Sequence, residues 1–88
     1  MKKLVKVEEI EGEGLTALMG QCVTLFCPNY IYAGTLVGVN EKFVLLEDAG
    51  IVFETGSFGE KEWKDFQPIP GKTWYVMTDA VESFGVLK

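Results

Sequence analysis

The sequence predicts a mainly β protein: one small barrel of about five bent antiparallel strands with a short N-terminal helix. Three observations predict it. Short apolar runs, several of them alternating with polar residues, are separated by Gly, Pro and Asn turn signals. Only Leu15 to Met19 repeats apolar residues at helical spacing. The 88 residues make a single domain, so the core is small and curvature must do much of the enclosing.

Each element follows from its local pattern. Lys2 to Val7 reads as a short strand or a loose arm, with Gly12 and Gly14 breaking it off. Leu15, Leu18 and Met19 fall at i, i+3 and i+4, which predicts a helix over about residues 14–19 with Gly20 as its stop. Cys22 to Cys27 alternates, with Val23, Leu25 and Cys27 on one face and Cys22, Thr24 and Phe26 on the other. Pro28-Asn29-Tyr30 is a turn, and Ala33 to Val39 is a second strand whose glycines permit curvature. Asn40-Glu41-Lys42 makes a tight polar connection. Phe43 to Leu46 is continuously apolar, as a strand covered on both faces would be, and Glu47 to Gly50 ends it. Residues 50–72 read as an inserted hairpin or loop, whose Phe58, Trp63 and Phe66 either dock a partner or pack back on the barrel. Thr73–Thr78 and Val81–Leu87 form the last strand pair around Asp79-Ala80.

Composition excludes several kinds of chemistry. Thirteen acids oppose eight bases, all lysine, for a net charge of −5. The absence of arginine removes the guanidinium fork that grips phosphate or guanine, and the absence of histidine removes imidazole acid–base and metal chemistry. Cys22 and Cys27 read as reduced thiols, too few for a disulfide scaffold or a zinc site, so no metal or cofactor is expected. Asp48, Asp65 and Asp79 show no spacing that pairs a general acid with a base, so an enzyme is not expected. No apolar run reaches the ~20 residues of a membrane span, and Glu8, Glu9 and Glu11 follow the basic start where an export signal would need an apolar core. The expected setting is cytoplasmic, with no membrane partner.

The order of motifs resembles a known family. A short helix leads into Gly20-x-x-Val23-x-Leu25; a turn precedes Gly34-x-Leu36-x-Gly38-x-Asn40; and an apolar strand runs into Leu45-Leu46-Glu47-Asp48-Ala49. This is similar to the first Sm motif of the Sm-like (Lsm/Hfq-type) family, over residues 15–49, with a weaker match over residues 74–84. The resemblance implies an Sm-like (SH3-like) barrel whose copies close into a homo-oligomeric ring by pairing strand edges. Trp74, Val76, Val81 and Phe84 are then the candidate interface residues. It also implies binding of single-stranded RNA. On one face, the loop positions of the uridine pocket fall on Asn40 and Lys42, with Phe43 either stacking or packing in the core. Thr78 and Asp79 replace the family's second-motif lysine and histidine, so that pocket is altered. On the opposite face the corresponding positions are Phe26, Tyr30, Ile31 and Tyr32, a candidate stacking platform or a packed subunit interface. The acidic charge and the altered pocket favour the alternative, a ring that holds a protein partner without RNA affinity.

Overall fold

The computed structural model describes residues 14–88. The lysine-rich start, with Lys2, Lys3 and Lys6, lies outside the described residues. The architecture is an open antiparallel sheet of six strands with almost no helix. The strands are β1 (Cys22–Phe26), β2 (Ile31–Val39), β3 (Phe43–Glu54), β4 (Asp65–Pro68), β5 (Thr73–Met77) and β6 (Ser83–Gly85). They lie in the order β4-β3-β2-β1-β6, and β5 pairs with β3 off that path.

A bend in β3 makes this order possible. Ala33 pairs with Gly50 and Thr35 with Glu47, so Gly34 alone faces both Asp48 and Ala49. The extra residue is a β-bulge, which sharpens local bending. Asp48 absorbs it with a φ of 53°, in the left-handed region that Asp tolerates better than most residues. The bulge backbone presses on Gly34, where a Cβ would lie 3.0 Å from the Ala49 Cα and 3.1 Å from the Glu47 carbonyl oxygen. Beyond the bend the strand changes partner. Phe43–Glu47 pairs with β5, whereas Gly50–Glu54 pairs with β4.

The core sits inside this curve. Val23, Leu25, Leu36, Val44, Leu46, Ala49 and Val76 form one buried cluster, with Leu15, Leu18, Tyr32, Val39, Ile69 and Val81 packed against it. Fully burying each of the Leu and Val side chains stabilises the fold by about 1.5–3 kcal/mol.

Three expectations change. Leu15–Leu18 is one 3-10 turn, not a helix over 14–19. Gly14 and Gly20 both have positive φ and bracket a segment too short to build an α-helical ladder. Gly20 does stop it: its N–H donates to the Leu36 carbonyl at 2.7 Å, tying the turn to β2. Glu47 to Gly50 does not end the third strand, because the bulge lets pairing resume to Glu54. The last two strands do not pair with each other. A 3-10 turn, Thr78–Ala80, carries the chain from β5, which pairs with β3, to β6, which pairs with β1.

Residues 50–72 supply the end of β3, a loop and β4, and their aromatics fold back. Phe66 lies on Gly50, where a Cβ would come within 2.3 Å of its ring. Phe58 meets Phe26 edge-on at 6.5 Å. No helix among the described residues is long and apolar enough to cross a membrane.

Candidate functional site

The turn between β1 and β2 concentrates the aromatic residues. It closes through the Cys27 N–H, which donates to the Tyr30 carbonyl at 3.1 Å. Tyr30 projects into solvent, with its ring 6.2 Å from Tyr32 and 6.4 Å from Phe53, both edge-on. The pairing explains the second contact: Ile31 sits opposite Val52, which brings the residues just beyond, Tyr30 and Phe53, together at the end of the ladder.

Two clefts flank this turn. One is lined by Phe26, Tyr30, Ile31, Val52, Phe53 and Glu82, among others. The other runs between the turn and β5, where Tyr30 and Tyr32 share a wall with Trp74, Tyr75 and Met77. Of the predicted platform, Phe26 and Ile31 face one cleft and Tyr32 the other, and Tyr30 borders both. The platform is therefore a ridge with two sides.

The second predicted group also comes together. Asn40 Oδ1 accepts hydrogen bonds from the Lys42 and Phe43 N–H groups, each at 2.8 Å, so its side chain is committed to its own turn. The Lys42 carbonyl accepts from the Thr78 N–H at 2.9 Å, and the Thr78 hydroxyl donates to the Glu41 carbonyl. The 40–43 turn and the Thr78–Ala80 turn thus abut. Phe43 is exposed and not a core residue; it meets Tyr75 edge-on at 5.6 Å as a diagonal cross-strand pair.

Among the interface candidates, Trp74 and Phe84 are exposed. Val76 is only 4% exposed and belongs to the core, because it alternates with the outward Tyr75 and Met77. Val81 packs against the same cluster. Val76 is therefore a core side chain, whereas Val81 is half-buried, with one side on the core. Phe53 and Tyr75 belong to the aromatic surface and were not anticipated. Phe53 was hidden by the expected end of the third strand, whereas Tyr75 was legible in the alternation of Thr73 to Met77.

The surroundings of Cys27 and Tyr32 favour their protonated, neutral forms. Burial, and then the Glu82 carboxylate, push the Cys27 thiol above its ordinary range. Burial, followed by Cys27 and Tyr30, does the same to the Tyr32 phenol. Both groups stay protonated at neutral pH. The arrangement offers flat apolar faces and phenolic hydroxyls, suited to stacking. Among the described residues no cluster of His, Cys, Asp and Glu could hold a metal ion. No family model, curated protein or solved structure matches the chain.

Proposed function

We propose that the chain is a subunit of a closed homo-oligomer built on an Sm-like barrel, and that its aromatic ridge binds single-stranded RNA by base stacking. The observation that carries this reading is the convergence of Tyr30, Tyr32 and Phe53 on one turn flanked by two open clefts. Stacking suits a chain without arginine, because every base has a π face and none requires a guanidinium partner. The return of β6 to β1 through one 3-10 turn, together with the bend at Asp48, supports a sheet curved towards a barrel.

Strand edges support assembly. Just past β4, the Ile69 N–H points inward to the Ala49 carbonyl, so by alternation Pro68 faces the open edge. A proline there presents no donor and blunts that edge. No proline guards β5 or β6. Pairing the β5 edge of one copy with the β6 edge of the next would cover both, and would bury Trp74 and Phe84.

A second reading is favoured by charge. A ring multiplies the −5 of each copy, which repels phosphate. In that reading the same ridge holds a protein segment and the oligomer has no RNA affinity. One experiment separates the two. Light scattering fixes the mass, then oligo-A and oligo-U are titrated across a salt series with the wild type and Tyr30→Ala. The RNA reading expects a closed oligomer, oligo-A binding with a shallow salt slope, and a loss of about tenfold or more in Tyr30→Ala. A closed oligomer that binds neither RNA favours the protein reading. A monomer at all concentrations refutes both.

A further inference from the structure

The loop between β3 and β4 contains a feature that neither strand edges nor aromatic stacking explains. The Lys88 ammonium donates to three backbone carbonyls of this loop: Thr55 at 3.0 Å, Ser57 at 2.9 Å and Glu62 at 2.9 Å. It also sits 4.5 Å from the centroid of the Trp63 ring, well inside cation–π range. A lysine ammonium has three N–H donors, and here each has a carbonyl of its own. The loop is shaped to bring these oxygens together. Gly56 turns it with a φ of 67°, and the Glu60 N–H donates to the Ser57 carbonyl at 3.1 Å, folding the far side back. Carbonyl dipoles pointing at a common centre repel one another unless a cation occupies it.

We propose that the carbonyls of Thr55, Ser57 and Glu62, with the Trp63 ring, form a receptor for a primary alkylammonium group that Lys88 fills in cis. Lys88 is then a latch. While it is seated, the loop holds Phe58 against Phe26; when it leaves, the loop relaxes, Phe58 separates from Phe26, and the receptor opens to a lysine side chain of another polypeptide. Selectivity follows from donor count: the cage fits a head with three N–H groups. A quaternary ammonium can meet the ring but has nothing to donate to the oxygens. This inference does not rest on the RNA reading, although the loop reaches one flank of the ridge through the Phe58–Phe26 contact.

The test uses the full chain in solution NMR. In the wild type the Lys88 ε-methylene protons should move upfield from free-lysine positions, because the ammonium they adjoin lies over the Trp63 ring. In Lys88→Ala, amide exchange over residues 55–63 should quicken by roughly tenfold, with β2 unchanged. Excess n-butylammonium should restore slow exchange in that variant, whereas tetramethylammonium at the same concentration should not. Trp63→Leu, which keeps the carbonyls, should abolish the upfield shift and retain most of the protection. Free-lysine shifts in the wild type, unchanged exchange in Lys88→Ala, or rescue that does not distinguish the two cations would overturn the proposal.

Discussion

Asp48, Cys27 and Tyr32 show how single side chains set the site. Asp48 takes the left-handed conformation that lets β3 turn without a glycine. Cys27 and Tyr32 hold their protons more tightly in the fold than out of it, and this has a consequence for stability. Each acid has a raised folded-state pKa, so the folded chain retains protons that the unfolded chain gives up. Their stabilising contribution is complete below the ordinary thiol range and is lost as pH rises through it and into the phenol range. Unfolding free energy, measured by urea titration, should therefore fall from about pH 8.5 upward. Replacing Cys27 with Ser should flatten the first part of that decline. A slope equal to that of the wild type would assign it to other groups.

At the level of elements, the bend in β3 and the unequal edges make the strongest demands. Gly50 lies beneath Phe66, so Gly50→Ala should expel the ring and destabilise the fold by about 1–3 kcal/mol, read from the denaturation midpoint. Replacing Gly20, where a Cβ meets nothing, would act only through its positive φ. Just past β5, the Thr78 N–H donates to the Lys42 carbonyl at the start of the β3–β5 ladder, so by alternation the Tyr75 N–H faces the open edge. If copies pair through this edge, Tyr75→Pro should lower the mass read by light scattering while Tyr75→Ala retains it, since only the proline removes an edge donor. Most of these elements were legible in the sequence. Cys22–Phe26 and Thr73–Met77 follow from alternation, the strand expected at Ala33–Val39 begins two residues earlier, at Ile31, and Asn40 gives the turn its own acceptor. The β3 continuation was not legible, because Glu47-Asp48-Ala49-Gly50 has the composition of a loop and becomes strand only through pairing with Gly34.

The whole molecule combines a small core with a large exposed aromatic surface. Tyr30, Phe53, Trp74, Tyr75 and Phe84 are all open to solvent in the single chain, and Tyr75 is 62% exposed. Exposed aromatic side chains in this number suit contact with a partner. If that partner is a second copy, folding and assembly are linked by mass action. The melting temperature should then rise with protein concentration, and a concentration-independent value would separate folding from association. The candidate site was legible as a cluster of aromatics near one turn, but its two-sided form was not, because Tyr30 acquires Phe53 only across the β2–β3 ladder.

The blunted β4 edge has a consequence for symmetry. Because Pro68 removes one edge, each copy is left with two open edges that differ, one on β5 and one on β6. Pairing them joins unlike surfaces, so each added copy exposes the same unsatisfied end as the copy before it. A two-fold dimer through these edges cannot satisfy such a series; only rotation through a full circle ends it, and a rotation that misses closure yields a filament. The angle that decides between the two outcomes depends on the curvature of one sheet. If copies assemble through these edges, a substitution at Asp48 or Gly34, which set that curvature, would change the number of subunits or turn a ring into a fibre.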